Sequence, residues 1–104
     1  MADEAPAVQS TSVLSAIADP APLGLAGFAL TTFLLSAKNA DWMSHSSGLT
    51  FLGYAFGYGG IVQLLAGMWE FRNRNVFGAT AFATYGGFWI GLYFYIQDVG
   101  GGLL

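Results

Sequence analysis

The side chains best suited to chemistry in this sequence are Gln63 and Glu70, which lie inside an apolar stretch at residues 49–71. At about 100° per residue they share one helix face with Gly53, Phe56, Gly60 and Gly67. An unpaired amide in an apolar medium costs about 1 to 3 kcal/mol, so Gln63 must face protein or water. Two interpretations are open: a hydrogen bond between helices, or an amide that lines a passage and binds a passing solute.

Glu70 lies at the end of the same stretch, close to Arg72 and Arg74. An ionisable group inside an apolar segment is a functional candidate. At a helix end, however, a carboxylate can reach water and pair with nearby cations. The sequence therefore favours local pairing with the arginines.

No residue pattern indicates an enzyme, and no metal or cofactor is expected. The chain has no cysteine and therefore no thiolate nucleophile or Cys-based metal site. His45, the single histidine, lies in a serine-rich stretch without acidic partners. The glycines at 57–60 lack the Lys-Ser/Thr of a phosphate loop. A net charge of −3 argues against nucleic acid as a partner.

The composition indicates that a lipid bilayer surrounds the chain. Of its 104 residues 55% are hydrophobic and only 9% are charged, whereas soluble domains carry about 25% charged residues. The mean hydropathy is +0.56. So few charges cannot cover a water-soluble domain of this size.

Three apolar segments predict an all-α membrane protein with transmembrane helices at about 21–37, 49–71 and 76–96. The short connection at residues 72–75 makes the second and third helices antiparallel neighbours, so we expect an up-down-up bundle.

The ends of the chain predict no packed structure. Residues 1–18 form a polar segment expected to be disordered, and residues 97–104 a flexible glycine-rich tail. Two arginines in the 72–75 loop outnumber the single Lys38 of the first loop. The positive-inside rule therefore places that loop and the N-terminus in the cytoplasm.

Small residues at four-residue spacing predict close helix packing on the second and third helices. The residues expected to pack are Gly53, Gly60, Gly67, Ala79, Ala83, Gly87 and Gly91. Whether the third-helix stripe packs within the chain or against another subunit is open. On the first helix, Asp19 suits an N-cap and Pro20 a first turn. Phe28 is either a packing knob or an apolar plug.

Three blocks of the sequence, in order, resemble one known family. DPAPLGLAGF at residues 19–28 is similar to the Asn-Pro-Ala-Pro-Leu-Gly-Leu signature of the first helix of succinate-acetate permeases, the acetate uptake transporter family. GGIVQLLAGMWEF at 59–71 is similar to that family's Gly-Gly-x-x-Gln-x-x-Ala-Gly-x-x-Glu pattern. Residues 75–89 resemble its third helix. The chain thus resembles the N-terminal half, three of six helices.

This resemblance implies a multi-pass plasma-membrane permease or channel that moves acetate, and often succinate, with or without protons. It further implies a hexameric ring, an apolar constriction at Phe28 and Tyr85, and a substrate entrance at 19–25. A helix start with free N–H groups suits a carboxylate, and threonines and an amide can replace lost hydration. The candidate pore residues are Asp19, Pro20, Pro22, Leu23, Gly24, Leu25, Phe28, Thr31, Gln63, Thr84 and Tyr85.

Two departures from the family pattern affect these expectations. Asp19 replaces the usual asparagine, so it either weakens acetate attraction or binds a proton. Three helices do not enclose a conduit, so we expect a fragment that needs self-assembly or a missing partner half. Two other functions stay open: a non-transporting membrane interaction subunit, and a transporter of another small solute such as ammonium.

Overall fold

A computed structural model describes residues 17–100 of the protein. Almost all of the predicted N-terminal tail, and residues 101–104, lie outside this range. Within residues 17–100 the chain is all-helical and contains no strand. This confirms the predicted all-α class.

Within the described range, three long helices and one single-turn helix follow one another. The long helix α3 has three stretches: an α-helical start, a π-helical middle and an α-helical end. The elements are α1 (Ala21–Asn39), α2 (His45–Gly48), α3 (Thr50–Tyr54, Ala55–Val62 and Gln63–Arg72) and α4 (Val76–Tyr95).

The start of α1 is capped by its own upstream residues. Pro20 occupies the N-cap position, one residue after the predicted cap. The carboxylate of Asp19 accepts a hydrogen bond from the N–H of Ala21 at 3.0 Å. It thereby satisfies one of the N–H groups that a helix start leaves free.

Helices α1 and α3 end in the same type of turn, in which a left-handed residue lets the chain fold back. Asp41 has a φ of 61°, and the N–H of Trp42 donates to the carbonyl of Ala37 at 3.0 Å. Arg74 also has a φ of 61°, and the N–H of Asn75 donates to the carbonyl of Glu70 at 2.9 Å. Each turn reverses the chain within a few residues.

Helices α3 and α4 pack antiparallel and close together. A Cβ atom on Gly67 would lie 2.7 Å from the backbone nitrogen of Ala83, and one on Gly60 would lie 2.6 Å from the side chain of Ile90. The lower-numbered glycine on α3 thus meets the higher-numbered residue on α4, so the two helices run in opposite directions. Such close approach is how helices associate where lipid supplies no hydrophobic drive.

Helices α1 and α3 are also antiparallel. Gly24, near the start of α1, meets Gln63, while Thr31, further along, donates from its hydroxyl to the carbonyl of Tyr54 at 3.5 Å. Thr31 also packs on Gly59, where a Cβ would come within 2.7 Å of the threonine oxygen. The up-down-up order predicted for the three helices is therefore present.

The π-helical stretch Ala55–Val62 explains why the predicted face of α3 is only partly right. A π-helix bonds residue i to i+5 and so changes the angle between residues relative to an α-helix. Buried on the α1 and α4 side are Gly60, Gln63, Gly67 and Glu70, whereas Gly53, before the π stretch, is exposed. A uniform 100° step across this stretch places Gly53 on the wrong side.

The packing face of α4 differs from the predicted stripe. Its buried residues are Gly78, Ala79, Phe82, Gly86 and Trp89. A Cβ atom on Gly53, Gly87 or Gly91 would meet nothing within 4 Å in the described part of the chain. The predicted packing role of these three glycines is thus not fulfilled within residues 17–100, whereas Gly60, Gly67, Ala79 and Ala83 do lie between helices.

The helical backbone continues beyond the predicted end of the third helix. Ile96–Gly100 forms a π-helical turn, which extends into the segment predicted as a glycine-rich tail. The side-chain amide of Gln97 donates to the hydroxyl of Tyr93 at 3.2 Å, one turn back, which holds this end to α4.

Two stretches are long and apolar enough to cross a membrane: Ala21–Asn39 and His45–Arg72. Helix α4 forms where a third span was predicted but is not among them. Large apolar side chains point outward from the bundle, among them Phe33 and Phe88, which are 56% and 51% exposed. An exposed apolar surface of this kind is typical of contact with a membrane or with another protein.

Candidate functional site

The candidate site is a groove of about 390 Å³ formed by side chains of α1, α3 and α4. Most of its lining is apolar. The polar side chains in it belong to Gln63, Glu70, Asn75 and Tyr85. The other lining residues are Ala21, Leu25, Phe28, Phe77, Gly78, Ala81 and Phe82. A mostly apolar groove with a few polar groups is the usual form of a small-molecule site.

Phe28 of α1 and Tyr85 of α4 form an aromatic pair at this groove. Their ring centroids are 4.7 Å apart and the ring planes are inclined by 59°. Tilted pairs of this kind contribute about 0.5 to 1.5 kcal/mol beyond burial alone. Two residues distant in sequence, both expected at a constriction, therefore lie against each other.

Gln63 connects α3 to α1 while it lines the groove. Its Nε2 atom donates to the carbonyl oxygen of Gly24 at 3.0 Å, and the side chain is fully buried. Its Oε1 atom is buried and has no hydrogen-bond partner among the described residues. The interhelical hydrogen bond considered for this residue is present, and the carbonyl end of the amide is left over.

Gly24 carries no side chain, which leaves room for Phe82 of α4 against α1. A Cβ atom there would lie 2.6 Å from the ring of Phe82 on α4. Phe82 thus packs directly on the α1 backbone, beside the carbonyl that Gln63 uses. Phe82 is not among the residues predicted for the site, because no signal in the sequence separates it from the other phenylalanines.

Glu70 is fully buried, which corrects the expectation that it pairs with Arg72 and Arg74. Its Oε1 atom accepts from the side-chain nitrogen of Asn73 at 3.2 Å. Its Oε2 atom has no hydrogen-bond partner within residues 17–100, and no ion pair joins it to either arginine there. The seven-residue spacing from Gln63 was the available signal, since it places both side chains on one helix face.

The first turn of α4 makes room for this carboxyl group. A Cβ atom on Gly78 would lie 3.0 Å from Oε2 of Glu70. The side-chain oxygen of Asn75 accepts from the N–H of Gly78 at 3.0 Å and so caps α4 beside the carboxyl group. Gln63 and Glu70 therefore both lie on the groove, two helical turns apart on α3.

Several predicted pore residues lie elsewhere. Asp19, Pro20 and Leu23 line a separate depression of about 300 Å³ beside Trp69. Thr31 is buried between α1 and α3, and the exposed residues Pro22 and Thr84 are absent from the groove lining. Of the predicted pore residues, the structure brings together Leu25, Phe28, Gln63 and Tyr85 at the groove, with Gly24 behind them.

Residues 17–100 contain no group of three or more His, Cys, Asp or Glu side chains placed to hold a metal ion.

The sequence profile of the GPR1/FUN34/yaaH family matches residues 4–101. The chain belongs to this family. It is 59% identical over 73 residues to acetate permease A of Emericella nidulans, which covers 70% of this chain and 24% of that protein. It is 45% identical over 76 residues to the succinate-acetate/proton symporter SatP of Escherichia coli K12, covering 73% of this chain and 39% of that protein.

A third relative has a different name. The ammonia transport outward protein 2 of Saccharomyces cerevisiae is 53% identical over 73 residues, covering 70% of this chain and 26% of that protein. The resemblance to succinate-acetate permeases drawn from the three sequence blocks is confirmed. The chain spans between 24% and 39% of the length of these relatives.

Proposed function

We propose that this chain forms part of the wall of a plasma-membrane permease or channel for acetate, and also for succinate. Its relatives named as acetate permease and succinate-acetate symporter support the substrate class. The observation that carries the proposal is the Phe28–Tyr85 ring pair, at 4.7 Å, on a groove that also contains the Gln63 amide. An apolar narrowing beside a hydrogen-bonding group is a common construction of a selective passage.

All three long helices cross the bilayer in this proposal. Helix α4 has 20 residues, and at 1.5 Å per residue such a helix is about 30 Å long, the thickness of the hydrocarbon core. The outward-facing Val76 and Phe88, 69% and 51% exposed, suit a lipid-facing surface. The exposed Arg72 and Arg74 support a cytoplasmic position for the turn between α3 and α4.

The groove is bounded by three helices only, so a complete conduit needs a further wall. A second half like the remainder of the longer relatives, or further copies of this chain in a homo-oligomer, supplies that wall. The exposed α4 stripe, Thr80, Thr84, Gly87 and Gly91, is the surface we assign to this contact.

Uptake of labelled acetate into lipid vesicles that contain the full chain tests this proposal. We expect saturable uptake above empty vesicles. Phe28→Ala should change its rate, and Phe33→Ala, on the same helix but 56% exposed, should not. Equal uptake in protein-containing and empty vesicles, together with copurification of a larger partner, would instead favour a non-transporting interaction subunit.

A second candidate solute is ammonium. It is favoured by the relative named for ammonia transport and by the buried carboxyl of Glu70 on the groove, to which a cation can donate. Competition separates the two solutes. If acetate uptake is the function, unlabelled acetate suppresses it and ammonium chloride does not. If ammonium chloride suppresses the uptake and unlabelled acetate does not, ammonium replaces acetate as the proposed solute.

A further inference from the structure

The polar groups of the groove have one property in common, which is that they lack a positive charge. None of the described residues that line it is Lys, Arg or His. Its one ionisable acid is Glu70, and the other titratable side chain is Tyr85. A carboxylate anion placed here would be desolvated without a counter-charge. Proteins avoid this arrangement because an unpaired buried charge is expensive.

The amide of Gln63 has a fixed orientation. Its nitrogen faces the carbonyl oxygen of Gly24 at 3.0 Å, and rotating the amide by half a turn would bring two oxygens together at that distance. Oε1 is therefore the end that remains, with no partner in the described chain. An amide oxygen only accepts hydrogen bonds, so its missing partner is an N–H or O–H donor.

The start of α1 does not offset this preference. A helix start attracts anions through its free N–H groups, but the N–H of Ala21, a groove residue, already donates to the carboxylate of Asp19 at 3.0 Å. Asp19 thus adds a negative charge where the family pattern has a neutral asparagine. The N–H of Ala21 and the carbonyl of Gly24 are both used within the fold, and the buried Oε1 atom of Gln63 beside them is left without a partner in the described chain.

We propose that the groove binds its solute as a hydrogen-bond donor, so that a carboxylic acid binds in its undissociated form with its O–H directed to Oε1 of Gln63. This inference rests on the proposed function and specifies the chemical form of its solute. The methyl group of acetic acid fits the apolar side of the groove, where Leu25, Phe28 and Tyr85 lie. An ammonium ion offers the same donor chemistry through its N–H groups.

Acetamide is the probe that separates donor binding from anion binding. It has the shape of acetic acid, carries N–H donors and is neutral at every working pH. Saturation-transfer NMR on the methyl signals, with the full chain in lipid nanodiscs, measures the apparent Kd of acetamide and of acetate. We expect the Kd of acetate relative to acetamide to rise about tenfold per pH unit, following the loss of undissociated acid.

Acetamide stays neutral over the working pH range, so its Kd serves as the reference for groove binding that does not depend on the charge of the ligand. The ratio of the two Kd values therefore follows the loss of undissociated acid. An acetate Kd that stays constant from about pH 6 to about pH 8 would overturn the inference, since only the anion is abundant there. A lack of saturable acetamide binding would overturn it as well.

Substitution tests the role of the Oε1 atom. Gln63→Met keeps the length of the side chain and removes the acceptor, so acetamide should bind about three- to tenfold more weakly, the usual effect of one hydrogen bond. Gln97→Met, at an exposed position outside the groove, is the matched control and should leave binding unchanged. If Gln63→Met does not fold, the comparison of ligands on the unmodified chain decides.

Ammonium is distinguished by a further variant. If ammonium is the natural donor, ammonium chloride displaces acetamide, and Glu70→Gln abolishes that displacement because the carboxyl charge is gone. If an undissociated acid is the donor, acetic acid displaces acetamide in both forms of the protein. Flux and binding fail separately: donor-selective binding without uptake rejects the transport proposal, and uptake with anion-selective binding rejects this inference alone.

Discussion

The side-chain nitrogen of Gln63 lies 3.0 Å from the carbonyl oxygen of Gly24, and this hydrogen bond joins α3 to α1 beside the groove. The two interpretations of Gln63 drawn from the sequence, helix contact and solute contact, are therefore compatible. An amide has a donor end and an acceptor end. The donor end is used by the fold, and the acceptor end is what we assign to the solute.

Replacing Gln63 by leucine should change stability only slightly. The interhelical hydrogen bond lost is worth about 0.6 kcal/mol and rarely above 1.7, while removal of a buried acceptor that lacks a partner gives a gain of similar size. We expect the free energy of unfolding in detergent micelles to change by less than about 1 kcal/mol. Gln97→Leu is the exposed control. A loss far above this range would mean that Oε1 is hydrogen-bonded in the folded protein.

Gly67 and Gly53 are two α3 glycines that should respond in opposite ways to alanine. A Cβ at Gly67 would lie 2.7 Å from the backbone of Ala83, and backbone cannot move aside without separating the helices. Gly67→Ala should therefore destabilise the protein by about 1 to 3 kcal/mol. Gly53→Ala meets nothing within 4 Å in the described chain and should gain up to about 1 kcal/mol in helix propensity. Thermal unfolding of both variants measures the difference, and equal effects would contradict the α3–α4 packing.

The same two glycines show how far the sequence predicts this fold. The existence, order and approximate bounds of the three helices follow from apolar length and from the short 72–75 connection. The buried face of α3 is predicted correctly only from Gly60 onward. The π-helical stretch Ala55–Val62 changes the angle between successive side chains, so the residues before it are placed wrongly. No local signal distinguishes a π stretch from an α-helix here, since its hydrogen bonds depend on what packs against it.

The candidate site is also predictable only in part, because the burial of one of its residues depends on a contact between two helices. Leu25, Phe28, Gln63 and Tyr85 come together as expected, but the depth of Glu70 does not follow from its position at a helix end. Its burial depends on the space left by Gly78 across the turn, where a Cβ would approach Oε2 at 3.0 Å. A contact between two helices cannot be read from the pattern of either one.

Arg74 and Arg72 should respond oppositely to glycine. Arg74 has a φ of 61°, a left-handed conformation that costs a non-glycine residue about 1 to 2 kcal/mol. Arg74→Gly should stabilise the protein by about 0.5 to 1 kcal/mol after the larger chain entropy of glycine is subtracted. Arg72 is the last helical residue of α3, and Arg72→Gly should destabilise it by up to about 1 kcal/mol. Both variants remove one positive charge, so unfolding curves compare the backbone effect alone.

The exposed stripe on α4 predicts contact with a second helical surface. If Gly87 and Gly91 pack against another copy of this chain, Gly87→Leu should reduce the oligomer mass seen by native mass spectrometry of the detergent-solubilised protein. The thermal stability of the separated chain should not fall, because a Cβ at this position meets nothing within 4 Å in residues 17–100 beyond the backbone of its own helix. Phe88→Leu, next to it and 51% exposed, is the control. An unchanged mass would assign the stripe to lipid.

The Phe28–Tyr85 pair predicts coupled effects on stability and on flux. With ring centroids 4.7 Å apart, a double-mutant cycle of Phe28→Leu and Tyr85→Leu should give a coupling energy of about 0.5 to 1.5 kcal/mol. If the two rings form one constriction, removing either opens it, so the double variant should take up acetate no faster than the quicker single variant. The matched pair Phe33 and Trp42, 6.4 Å apart and both exposed, should show neither effect. Additive changes in uptake would mean that the rings act at separate points and that their contact belongs to packing only.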